Sequence, residues 1–185
     1  GGSGKTPVAL WLVERLLRAG HHPLIISRGY GGRLAGPCAV APDADPRDCG
    51  DEPVLLARRA ACPVWIGRDR VAVARAALAA HPGCDVVVTD DGLQHYRLCR
   101  DIEIAVVDAR VLGNGLLLPA GPLREGLGRL AGCSLVLAHG HLPTAIGGRL
   151  GRVPVHPMAL VPAPLYRLSD PGCRREAREL AALRL

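Results

Sequence analysis

A chain of 185 residues that is 49% hydrophobic and 22% charged has the balance of a folded domain with a sizeable core, which excludes long disorder. Aromatic residues make up 3% with no Phe, so Leu, Val, Ala and Ile must build that core, and the stacking platforms of single-strand nucleic-acid readers are excluded. The formal net charge of +6 suits an anionic substrate, a nucleotide or an anionic membrane surface, although dispersed arginines also suit an ordinary solvated surface.

The chain opens with "GGSGKTPVALWLVERL", and Lys5 is the one lysine among 23 Lys and Arg residues. From Thr6 to Ala19 the apolar residues recur at helical spacing, with Pro7 tolerable in the first turn and Gly20 as a stop. Lys5 therefore stands where a Gly-rich loop becomes a helix. Gly1, Gly2, Ser3 and Gly4 with Lys5 and Thr6 read as the downstream half of a phosphate-binding loop. Backbone N–H groups and the helix N-terminus would face phosphate oxygens, and Thr6 would offer a hydroxyl to Mg²⁺. A flexible ammonium follows the β- and γ-phosphates better than a rigid guanidinium fork, which explains a lysine in a chain that otherwise uses arginine. The plain alternative is a Gly-rich turn before a helix.

Further along, "PLIIS" (23–27) reads as a buried strand, "GDEPVLLARRAA" as a helix start, "CPVWI" as a strand and "RDRVAVARAALAAH" as a helix. "CDVVVTDD" is a strand ending in Asp90 and Asp91, and "IEIAVVD" and "CSLVLAH" are further strands flanking a Gly/Pro-rich loop and a short helix. This alternation predicts an α/β fold of the phosphate-loop NTPase kind, a mainly parallel sheet with helices on both faces. Ligands on such sheets bind at the carboxyl ends of strands, where Asp90 lies. Dense Pro and Gly from about Leu142 predict a boundary between a nucleotide-binding domain (1–141) and the start of a smaller α/β lobe (142–185), which ends in the helix-like "CRREARELAALRL".

Asp90 and Asp91 are candidate Mg²⁺ ligands, since a carboxylate at the end of a buried strand supports the metal in phosphate-loop enzymes. A polar strand end capping a turn is the alternative. Asp51 and Glu52 before Pro53 have two readings: acids favoured by a helix N-terminus, or, for Asp51, a general base beside the γ-phosphate. The H-x-H of His139 and His141 lacks a third ligand placed by spacing and reads as a loop or surface feature. Seven cysteines, odd in number and without a C-x-x-C pair, read as free thiols in a reducing compartment. No stretch approaches the ~18 apolar residues of a membrane span.

Taken together, "GGSGKTP", "SRGYGG" (27–32), "GDEPVLL" (50–56), "TDDGLQHYRL" (89–98) and "GNGLLLPAGPLRE" (113–125) resemble the tetraacyldisaccharide 4'-kinase family of Gram-negative lipid A synthesis, in order and spacing, up to about Ser134. The resemblance implies ATP- and Mg²⁺-dependent phosphorylation of the 4'-hydroxyl of a tetraacylated disaccharide 1-phosphate. It matches Lys5 and Thr6 to the phosphate loop, Asp90 and Asp91 to the paired acids, and Asp51 to the base. It also places Arg124 and Glu125 at the nucleotide and metal site. By the same resemblance the partners are ATP, the acylated lipid and, through an N-terminal membrane helix preceding Gly1, the cytoplasmic face of the bacterial inner membrane; no nucleic acid is a partner. A C-terminal lobe would continue after Leu185. The rival expectation is a nucleotide-switched binding or assembly protein of the same architecture.

Overall fold

The structure is a computed structural model that describes residues 4–108, 112–140, 142, 148, 150–161, 164–167 and 170–175. Helix α1 (Lys5–Arg18) begins directly after Gly4, whose φ of 89° is a left-handed conformation that glycine adopts without strain. Strand β1 (Pro23–Ser27) follows and is buried along its whole length. The chain continues through β2 (Cys38–Ala39), α2 (Pro46–Cys49), α3 (Asp51–Arg59), β3 (Val64–Ile66), α4 (Arg70–Ala80) and β4 (Val86–Thr89). These strands form one sheet in the order β2-β3-β1-β4. β1 pairs in parallel with β3 through Ile25↔Val64 and with β4 through Leu24↔Val87, while β2 is an antiparallel edge.

Side-chain alternation along β1 explains why helices cover both faces. Ile25 packs with Ala9 and Val13 of α1 and Val54 and Leu56 of α3. Leu24 and Ile26 point the other way, into Val73, Ala74 and Ala77 of α4. All three β1 side chains are fully buried. Helix α4 starts where Asp69 accepts hydrogen bonds from the backbone N–H groups of Val71 (2.9 Å) and Ala72 (3.2 Å), a cap that satisfies two otherwise open donors.

A second sheet comprises β5 (Ile104–Asp108), β6 (Leu135–His139) and β7 (Val155–Met158), all parallel, with a 3-10 helix at Leu127–Gly132 between the first two. β7 lies beyond residue 142 yet pairs with β6, so these two strands share one sheet. A hairpin of β8 (Leu165–Arg167) and β9 (Asp170–Arg175) follows. The helix-like run from Cys173 therefore starts as strand: Arg174 and Arg175 pair with Tyr166 and Leu165, and cross-strand pairing overrides the local helical composition. The rest of that run lies outside the described residues. All seven cysteines are free; Cys49 and Cys133 are buried and Cys99 is exposed.

Candidate active site

The site is assembled where α1 begins and β4 ends. Gly4 approaches the end of β7 so closely that a Cβ would lie 2.8 Å from Met158 Cε. One residue on, Lys5 Nζ reaches Asp91 Oδ1 at 3.4 Å, and the Thr6 hydroxyl donates to Glu52 Oε1 on the first turn of α3. The phosphate-loop junction and the paired acids expected from sequence thus meet. Gly1, Gly2 and Ser3 lie outside the described residues.

Asp90 follows β4 directly, and its backbone N–H donates to Ile26 O at 3.1 Å, which ties it to the fully buried β1. The residue is 3% exposed, and Oδ2 has no partner among the described residues. Burial, then the negative charges of Glu52 and Asp91, push its carboxyl up to about 6, with Lys5 opposing. An acid so placed is short of positive charge.

Asp91 differs from its neighbour. It takes a φ of 52°, uncommon for a residue with a side chain, as the chain turns sharply after β4. Arg124 donates to both of its oxygens, from Nη2 at 2.9 Å and from Nη1 at 3.3 Å. Burial pushes the Asp91 carboxyl up, but the Arg124 hydrogen bonds and the charges of Lys5 and Arg124 bring it below its ordinary value. Two adjacent carboxyls are thereby pushed in opposite directions, the arrangement by which a site separates chemical roles.

The turn has no slack. A Cβ on Gly92 would lie 2.2 Å from Thr89 Cγ2 and 2.9 Å from Thr89 Cβ, and Thr89 is stiff because it is β-branched. Gly92→Ala is expected to destabilise the protein by about 1–3 kcal/mol through overpacking, read as a fall in Tm of ~2–10 °C in a thermal melt. An unchanged Tm would mean that the turn relaxes freely.

The remaining expected residues fall on either side of this centre. Arg124 touches Asp91, whereas Glu125 accepts from Gln94 Nε2 at 2.8 Å and from the Tyr96 hydroxyl. Asp51 is the first residue of α3, exposed, with no hydrogen-bond or ion-pair partner among the described residues. His139 pairs with buried Asp108 at 3.3 Å, and His141 lies outside the described residues.

Sequence reasoning missed two residues. Glu52 was visible only as the neighbour of Asp51, and the contact with Thr6 is made by folding 46 residues of chain. Arg70 opens α4 and is 3% exposed; Nη1 donates to Gly67 O at 2.8 Å, while Nε and Nη2 have no partner among the described residues. Burial and the nearby Arg28 charge lower its pKa to about 10, and the Asp90 and Asp91 charges oppose that shift. With Arg68 and Arg97 it lines a cleft of about 470 Å³, and Arg68 is shared with a second cleft of about 250 Å³ that Arg28 and Tyr30 line. No apolar signal marks a buried arginine in a sequence.

Among the described residues no three His, Cys, Asp or Glu side chains are grouped to hold a metal ion unaided. The donors present, a hydroxyl and carboxylates including one buried orphan oxygen, nevertheless fit a hard oxygen-seeking cation that takes its other ligands from water and phosphates.

Comparison with known proteins places this geometry. The family described as tetraacyldisaccharide-1-P 4'-kinase, LpxK, matches residues 1–184. A tetraacyldisaccharide 4'-kinase of Aromatoleum aromaticum is 60% identical over 174 residues, covering 94% of this chain and 52% of that protein. One of Azoarcus sp. is 56% identical over 180 residues, covering 96% and 51%. The chain therefore spans about half the length of these curated relatives. Among solved structures, "apo" form LpxK from Aquifex aeolicus in complex with ATP superposes with a TM-score of 0.67 at 32% identity, over 75% of this chain and 44% of that one. A match along nearly the whole chain, with relatives identical at more than half of the aligned positions, makes this chain a member of the tetraacyldisaccharide-1-P 4'-kinase family.

Proposed function

We propose that the chain carries the nucleotide-binding part of an ATP-dependent kinase that phosphorylates the 4'-hydroxyl of a tetraacyldisaccharide 1-phosphate. The observation that carries this reading is the continuous link Lys5–Asp91–Arg124, which joins the start of α1 to the acids after β4. Such a site works by positioning and by stabilising charge on the transferring phosphoryl group. Lys5 and the N-terminus of α1 hold the β- and γ-phosphates, and Arg124 supplies a second cation across Asp91. Thr6, Asp90 and Asp91 would hold Mg²⁺, with Glu52 ordering the Thr6 hydroxyl. When bound, the ion neutralises charge on the phosphates. Glu125, engaged by Gln94 and Tyr96, supports the same loop.

Asp51 accepts the proton of the acceptor hydroxyl in this proposal, and its unpartnered, exposed carboxylate is available for that task. Asp51→Ala is expected to lower kcat on the order of 10²–10⁴-fold with KM for ATP kept, as for a lost general base. Turnover near that of the unmutated protein would remove Asp51 from the role. The clefts lined by Arg28, Arg68, Arg70 and Arg97 suit an anionic acceptor. We place the enzyme at the cytoplasmic face of the inner membrane, where ATP meets an acylated substrate. Among the described residues no helix is long and apolar enough to cross a membrane.

The test uses the full-length protein with γ-labelled ATP, Mg²⁺ and detergent-dispersed tetraacyldisaccharide 1-phosphate. Label in the lipid is the expected result. Free labelled phosphate with no labelled lipid would overturn it in favour of a nucleotide-switched assembly protein.

A further inference from the structure

Asp91 holds a left-handed backbone, and such a residue persists only where its surroundings over-determine it. Arg124 and Lys5 grip its side chain. Its backbone is held by a different residue: Arg100 Nη1 donates to the next two carbonyls, Gly92 O at 2.8 Å and Leu93 O at 3.0 Å. Arg100 is held in turn, since Nη2 pairs with Glu103 Oε1 at 2.7 Å. The other Glu103 oxygen accepts from Arg129 Nη2 at 2.6 Å, in the 3-10 helix that follows Arg124 and Glu125.

Glu103 is itself anchored. Its N–H donates to Ser134 Oγ at 3.0 Å, and its carbonyl accepts from Ser134 N at 2.8 Å, which fixes it where β5 and β6 begin. Its side chain is 15% exposed, so both ion pairs are shielded from water more than a surface pair is. The Arg100 guanidinium also lies 5.7 Å from the ring centre of Tyr96, whose hydroxyl donates to Glu125. One carboxylate thus bridges two guanidiniums, one gripping the turn after the paired acids and one in the segment after Arg124 and Glu125.

We infer that Glu103 and Arg100 are positioning residues for phosphoryl transfer: together with Arg129 they hold the Asp91 turn and the Arg124 loop in the register that lets Arg124 reach both oxygens of Asp91. The inference rests on the kinase reading above. Neither residue touches the reacting groups. They act because small displacements of groups around a transferring phosphoryl are expensive in rate.

Glu103→Gln keeps the shape and removes the charge that both guanidiniums need. It is expected to lower kcat on the order of 10–100-fold, as loss of an outer-shell partner does, with KM for ATP within about twofold. Arg100→Lys, which keeps the charge but not the planar fork over two carbonyls, is the second variant and is expected to lose kcat in the same way. A purely structural pair would lower Tm without a coupled kinetic effect, so each variant is repeated in an Arg124→Ala background. With the Arg124–Asp91 contact already gone, the loss from Glu103→Gln is expected to shrink to under about threefold. An equal loss in both backgrounds, or folded variants with unchanged kcat, would overturn the assignment. The ratios are read equally well on phosphate release, so a protein that hydrolyses ATP without labelling lipid would count against the kinase reading and still decide this one.

Discussion

Lys5→Ala is expected to lower kcat on the order of 10³–10⁵-fold, the range found when a cation that stabilises the transferring phosphoryl is removed. Folding should survive, because Asp91 keeps its two hydrogen bonds from Arg124 when Lys5 is lost, and Asp90, which loses the one positive charge opposing its raised carboxyl, can take up a proton. The sharper comparison is Lys5→Arg. Charge is conserved, yet the fork is longer and planar, and it must follow a phosphate from the first residue of a helix whose preceding Gly4 is pressed against Met158. Lys5→Arg is therefore expected to restore little of the activity. Turnover within about tenfold of the unmutated protein in either variant would remove Lys5 from the phosphate site.

Asp90→Asn should destroy activity and raise stability at once. The Asp90 carboxyl stands at about 6 in the fold against its ordinary 3.8, first because it is buried and then because Glu52 and Asp91 are nearby. A raised folded value means that the fold prefers the protonated acid. Its full contribution is present below pH 3.8 and is lost as pH rises through about 6, on the order of 3 kcal/mol by neutral pH. Asparagine keeps the volume and never ionises. In EDTA the variant is expected to melt above the unmutated protein at pH 7.5, with the gap closing toward pH 4. Activity is expected to fall on the order of 10²–10³-fold. A variant that melts lower at pH 7.5 would show that the ionised carboxylate is satisfied in the fold after all.

The elements with strong periodicity were legible in the sequence. β1, β4, α1 and α4 bury continuous apolar surfaces, so residue spacing alone locates them, and the sheet with helices on both faces follows from their alternation. β7 was not legible. It contains Pro157, exposes Val155 at 41%, and exists because β6 offers an edge to pair with, which no local pattern records. The end of β9, from Cys173 to Arg175, was misread as the start of a helix for the same reason. In the site, the meeting of Lys5 with Asp91 could be expected, because a Gly-rich loop and a strand-end acid have a known spatial relation. The Glu52 contact with Thr6, the buried Arg70 and the Glu103 bridge depend on long-range packing between elements that carry no signal of one another.

The distribution of the thiols has a practical corollary. Cys49, Cys62, Cys84 and Cys133 have their thiols pushed up by burial, to about 11 for Cys62, so little reactive thiolate forms there at neutral pH. Cys99 is the one exposed cysteine among the described residues, and it is the immediate neighbour of Arg100. A maleimide dye added in limiting amount should attach there first, which places a fluorescent reporter beside the turn that carries the paired acids without any engineered cysteine.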